Sequence, residues 1–252
     1  MSGHSKWSTI KRQKGLTDAK RGQAFTKISN VITIAVKLGG GGDPASNPRL
    51  RVAIDGARAV NMPKDNISRA IEKGLGKGKE GLEEVVYEGF GPGHVAFIAE
   101  GVTDNRLRTN QEIKNLFERN GGNLGGQGSI VYLFEKKGEI RVKGKVQSEE
   151  GKDEEMLELI DLGAADIEDY EEEGIKKFLI YTEPTGINTI GHAIADAGYE
   201  IEFQDQIMKP VTMQEITSKE VAAKVMAFAE KLEESDDIQK VFTNFDIAEG
   251  IL

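Results

Sequence analysis

The sequence predicts an α+β protein of three units, one helical and two that mix strands with helices. Three observations carry this reading. Apolar residues recur at helical spacing as far as residue 75 and fall into strand-like runs afterwards. Glycine-dense breaks at 39–42, 74–81 and 121–128 punctuate the chain. Charge is segregated as well: residues 1–79 hold 16 Lys and Arg against 5 Asp and Glu, a net of +11, so the remaining 17 basic and 37 acidic residues leave a net of -20.

Residues 1–16 carry Lys6, Lys11, Arg12 and Lys14 without an acid, and read as a basic arm. Thr17 can cap a helix running to about Leu38, with Phe25, Ile28, Ile32, Ala35 and Val36 on one stripe and Gly39 as its stop. After a Gly- and Pro-rich loop, Asn47 caps and Pro48 opens a second helix to about Val60. A third starts near Pro63, turns Ile67, Ala70 and Ile71 inward, and ends at Gly74. Beyond the 74–81 linker, residues 85–90 and 95–99 read as strands, and 105–119 as a helix with Ile113, Leu116 and Phe117 inward.

From Ser129 the expected order is strand, a turn at Lys136-Lys137-Gly138, strand, helix (152–162), strand (167–170), strand (177–182), helix (184–197) and strand from Tyr199. Helices crossing antiparallel strands in this order suggest a ferredoxin-like sandwich. A helix over 218–232 and a strand near 238–245 then complete the half-sheet begun at Val85. The expected domains are 1–79, a discontinuous 80–130 with 207–252, and an inserted acidic 131–206.

Composition narrows the chemistry. With no cysteine, disulfides, thiolate metal sites and cysteine nucleophiles are excluded. Three scattered histidines make a His-rich metal site a poor fit. No run reaches the ~18 apolar residues of a membrane span. Residues 1–7 hold no apolar stretch before their first basic residue, and Ser2 follows the initiator, so neither a secretory signal nor N-myristoylation is expected. A cytoplasmic protein is the expectation.

Gly76-x-Gly78-x-x-Gly81 matches the dinucleotide fingerprint in letters, but follows a helix and leads into a strand, the reverse of what pyrophosphate binding needs. Glu171-Glu172-Glu173 and Asp236-Asp237 read as solvated surface rather than cation cages. His94 reads as a turn residue and His192 as a packing residue. Nothing supports catalysis, a cofactor or a small-molecule substrate.

The N-terminal third suits a polyanion. Lysines and arginines neutralise phosphates, and Trp7 can stack on an exposed base. The candidate contact residues are Lys6, Trp7, Lys11, Arg12, Lys14, Lys20, Arg21, Lys27, Arg49 and Arg51. Arg51–Asp55 and Asp55–Arg58 are spaced to brace their own helix instead. Two segments bracket the helix after the second strand, Asp104-Asn105-Arg106 and Gly121-Gly122-Asn123-Leu124-Gly125, and the glycines of the latter permit either close approach of a partner or tight turns.

An ordered set of motifs resembles the YebC/PmpR family of probable transcriptional regulators. It comprises Gly3-His4-Ser5-Lys6-Trp7, Phe25-Thr26-Lys27, Asn47-Pro48-Arg49-Leu50-Arg51, Asn61-Met62-Pro63-Lys64-Asp65-Asn66-Ile67, Tyr87-Glu88-Gly89, Gly91-Pro92-Gly93, Thr103-Asp104-Asn105-Arg106 and the 121–125 segment. Leu107 stands where Asn is usual and His94 where Gly is usual. The resemblance implies a helical domain followed by two α+β domains, the last inserted into the middle one. It also implies a cytoplasmic, non-enzymatic protein acting on gene expression. Members are described as DNA-binding regulators, and related proteins, a mitochondrial activator of cytochrome oxidase synthesis among them, act on translation. The leading expectation is a DNA-binding transcriptional regulator. Its alternatives are a translation factor binding ribosomal or transfer RNA, and a scaffold whose acidic domains meet a protein partner.

Overall fold

Strand β2 (Ala96–Thr103) is buried on both faces, and the α/β part of the molecule is assembled around it. The computed structural model describes residues 18–76, 81–146, 151–172, 174–248 and 251. On one face of β2, Phe97 and Ala99 meet two helices, α4 (Arg106–Arg119) and α7 (Lys219–Glu234). The rings of Phe97, Phe117 and Phe228 interlock edge-on there, with Phe228 4.8 and 4.9 Å from the other two centroids, a geometry aromatic quadrupoles favour. On the other face Ala96 and Ile98 join Phe134, Leu179, Tyr181 and Ile207 of a second sheet.

The first sheet has the order β3-β1-β2-β9, where β1 is Glu83–Phe90, β3 Asn123–Leu124 and β9 Ile238–Thr243. β9 lies antiparallel to β2, so the chain returns to this sheet after a long excursion. That excursion builds the second sheet from β4 (Phe134–Lys143), α5 (Lys152–Asp161), β5 (Asp166–Glu172), β6 (Ile175–Thr182), α6 (Ile187–Asp196) and β7 (Glu200–Pro210). Its order is β5-β6-β4-β7 with every neighbour antiparallel, the expected ferredoxin-like arrangement. α5 and α6 cover its far face through Leu159, Ile187 and Ile194. The layers run helix, sheet, sheet, helix. A short parallel pair, β8 (Gln214–Ile216) with β10 (Phe245–Ile247), is too brief to leave a sequence signal.

One expected turn is absent. Lys136-Lys137-Gly138 lies inside β4, which pairs with β7 along its length and with β6 from Gly138 onward. A Cβ on Gly138 would sit 2.3 Å from Thr182 Oγ1 and 2.9 Å from Ile187 Cβ, so the glycine admits α6 rather than bending the chain. The glycine segment 121–125 is also a matter of packing: a Cβ on Gly122 would stand 2.5 Å from the Phe90 carbonyl oxygen. The buried Glu88 carboxylate holds the next stretch by accepting from the backbone N–H groups of Gly128, Ile130 and Val131 at 2.7–3.1 Å.

The helical unit is α1 (Asp18–Leu38), α2 (Pro48–Ala59) and α3 (Lys64–Leu75), with its own core of Ile32, Ala35, Val36, Leu50, Ile54, Ile67 and Ala70. Asn47 is fully buried and joins two helices. Its Oδ1 accepts from Leu50 N at 3.0 Å, capping α2, while Nδ2 donates to the Ala35 and Gly41 carbonyls at 2.9 and 2.8 Å. Asn47→Ala should destabilise the protein by about 1–3 kcal/mol, because buried backbone groups lose partners. Asn47→Asp keeps the cap oxygen but sets a carboxylate oxygen against the Ala35 and Gly41 carbonyls at a buried site, and in urea unfolding at pH 7 it should be no more stable than Asn47→Ala.

Candidate nucleic-acid interface

The described cations of the helical unit differ in how far they are committed. Arg58 pairs with Asp55 at 3.0 Å, whereas Arg51 forms no ion pair with Asp55 and stays exposed. Lys64, Arg69 and Lys73 on α3 are exposed and, among the described residues, form no ion pair. Arg69 and Lys73, four residues apart, share a face of α3. The inserted sheet contrasts with this. There Lys177 meets Glu172 and Glu202, Lys209 meets Asp166 and Glu168, and Lys145 meets Glu158, so these three cations are neutralised locally.

The sequence-derived candidates divide accordingly. Lys6, Trp7, Lys11, Arg12 and Lys14 lie outside the described residues, as do the side chains of Lys20 and Arg21, whose backbone belongs to α1. The ammonium group of Lys27 donates to the Glu233 carbonyl at the end of α7. Arg49 pairs with Glu84 of β1. Arg49 and Arg51, two residues apart, point roughly 200° apart around α2 and do not share a face. Lys27 and Arg49 are therefore held toward the α/β body, and Arg51 is left in solvent. Sequence reasoning grouped all three by charge and overlooked Lys64, Arg69 and Lys73.

A second cationic feature lies at the start of α4. Asn105 caps this helix, its Oδ1 accepting from Arg108 N at 3.1 Å. Arg106 and Arg108 occupy the first turn, where the helix dipole disfavours positive charge. That mismatch was readable in the sequence and passed unused. Arg108 is compensated: its guanidinium bridges Asp104 at 2.9 Å and Asp237 at 2.8 Å. Arg106 forms no ion pair among the described residues, and Leu107 beside it is 84% exposed.

Asp237 corrects the sequence reading of Asp236-Asp237 as solvated surface. It is buried, and its Oδ2 accepts from Thr109 Oγ1 at 2.6 Å and Thr103 Oγ1 at 3.2 Å as well as from Arg108. Burial alone would raise its pKa. The hydrogen bonds from Thr109 and Arg108, with the Arg108 charge, outweigh burial and hold the carboxyl below its usual range. His192 is corrected too, being exposed with Nδ1 against its own helix carbonyl Asn188 at 2.7 Å. His94 adopts φ 58°, which explains why glycine suits that turn. Among the described residues no cluster of acids and histidines could hold a metal ion, and no helix is long and apolar enough to cross a membrane.

Because the folded-state pKa of Asp237 is depressed, its contribution to stability is present above the unfolded value of about 3.9 and lost as pH falls through the lower folded value. In urea unfolding, Asp237→Asn should therefore be less stable than the parent at pH 7, and the gap should shrink in strong acid.

Two family models match the chain: the TACO1/YebC protein N-terminal domain over residues 5–77, and the TACO1/YebC second and third domain over residues 82–245. A probable transcriptional regulatory protein of Chloroflexus aurantiacus is 47% identical over 248 residues, covering 98% of this chain and 96% of the relative. One from Treponema denticola is 47% identical over 251 residues, covering 99% and 98%. The crystal structure of a conserved hypothetical protein, Aq1575 from Aquifex aeolicus, superimposes with a TM-score of 0.80 at 42% identity, covering 93% of this chain and 94% of that one. With both models matched and its relatives aligned from end to end, the chain belongs to the TACO1/YebC family.

Proposed function

We propose that this protein regulates gene expression by binding nucleic acid through its helical unit, without catalysing a reaction. DNA is the leading target, because the relatives' names describe transcriptional regulators. The observation that carries the reading is the asymmetry of uncompensated charge. Residues 1–79 carry a net of +11, with Arg51, Lys64, Arg69 and Lys73 exposed and free of ion pairs among the described residues, while the rest of the chain carries -20. A phosphate backbone is drawn to the first part and repelled by the second. On this reading the cytoplasm is the working compartment. The discontinuous unit (80–130 with 207–252) and the inserted one (131–206) face away from the polymer, free to meet a protein partner.

The composition of α3 favours structured RNA, on the ribosome or elsewhere, as a second reading. In a helix–turn–helix protein the helix after the turn reads base edges in the major groove. Here that helix carries Asp65 and Glu72 among its cations, a mixture poorly suited to a groove lined by phosphates. Contacts confined to backbone and unpaired bases tolerate such a surface.

If about 6–10 phosphates are engaged, affinity should fall on the order of 10³–10⁵ between 50 and 200 mM salt. A flat response contradicts the reading. Deleting residues 1–16 should weaken binding while leaving the melting temperature in place, and Trp7→Ala should cost about 1–3 kcal/mol of binding if the indole stacks on a base. Competition between duplex DNA and purified ribosomes separates the targets: co-sedimentation with ribosomes that excess DNA cannot disturb selects RNA.

A further inference from the structure

Two of the cations expected to meet phosphate, Lys27 and Arg49, are engaged by the protein's own α/β body. Lys27 and Gln23, one turn apart on α1, donate to the carbonyls of Glu233 and Glu234 in the last turn of α7. Gln23 also reaches Asp236 Oδ1 at 3.3 Å. These carbonyls lie in the last turn of the helix, where the dipole favours a cation. On the other side of the junction Arg49 pairs with Glu84 at the start of β1, both about half exposed. The described apolar contact between the units is small, centred on Ile34 of α1 with Leu82 and Val102. The larger cores on either side are separate.

We propose that these contacts form a latch, in which the α7 C-terminus and Glu84 hold Lys27 and Arg49 until a polyanion competes for them. The proposal rests on the nucleic-acid reading above. The body-side partners named above are oxygen acceptors, so a phosphate oxygen can replace each bond for bond, with a formal charge the carbonyls lack. Releasing the Lys27 and Arg49 side chains is inexpensive, because water can satisfy the freed α7 carbonyls and exposed ion pairs contribute little. Nucleic acid then gains two cations that the closed form withholds.

Binding of fluorescein-labelled duplex DNA and of a labelled RNA hairpin at low salt tests this on the full chain. Glu84→Gln should tighten binding a few-fold. Removing any negative charge near the polymer does the same in part, so Glu83→Gln is the comparison: Glu83 is exposed, adjacent, and forms no ion pair among the described residues. The latch requires Glu84→Gln to exceed Glu83→Gln, and equal effects overturn it. Because the chain has no cysteine, the thiols of a Gln23→Cys, Asp236→Cys double variant can be joined by a short bismaleimide to fix the latch shut. The closed protein should bind several-fold more weakly than the same variant left unjoined, at a melting temperature that is no lower. Undiminished binding after joining also overturns the latch, while leaving the nucleic-acid reading in place. Absence of salt-sensitive binding to either probe by the parent protein overturns both.

Discussion

Burial of β2 on both faces is the constraint on which the α/β architecture depends. A strand with apolar residues at consecutive positions, Ala96 to Ala99, cannot sit at the surface of a one-sided sheet. One side recruits α4 and α7, whose Phe117 and Phe228 close on Phe97. The other recruits an entire second sheet, and so requires the excursion between β3 and β9 to fold back onto Ala96, Ile98 and Phe242. The β2–β9 pairing then draws the chain's last stretch beside its middle. The end of α7 is brought within reach of α1 by the same closure, since α7 leads directly into β9.

Polar groups fix details that apolar burial leaves free. Asn47 sets the angle between α1 and α2 by capping one helix and satisfying carbonyls of the other segment. Glu88 pins the stretch after β3 by taking three backbone N–H groups. Asp237 ties the start of β9 to Thr103 at the end of β2 and to the first turn of α4. These are buried side chains with satisfied partners, and each joins segments far apart in sequence.

Helices were the most legible elements because their stripes and caps are local: Ile32, Ala35 and Val36, or Asn47 before Pro48, announce themselves within one turn. The ferredoxin-like order was readable from element succession. What stayed hidden depended on distant partners. Gly138 looks like a turn until α6 is seen packed against it, and Asp237 looks solvated until Thr103, Thr109 and Arg108 converge on it. For the candidate interface, charge segregation was visible in composition alone, whereas the direction of each side chain was not. Lys27 and Arg49 are turned to the body by acceptors some 200 and 35 residues away. Arg51, Lys64, Arg69 and Lys73 stay exposed and form no ion pair among the described residues.

The proposed function requires a division of labour, in which the cationic helical unit grips the polymer and the anionic remainder stands clear. Hydrogen exchange measured with and without bound nucleic acid maps that division directly. Slowed exchange concentrated in α1, α2 and α3, with the ferredoxin-like sheet unchanged, is the predicted result. Slowing centred on β4 to β7, with the three helices unaffected, contradicts it.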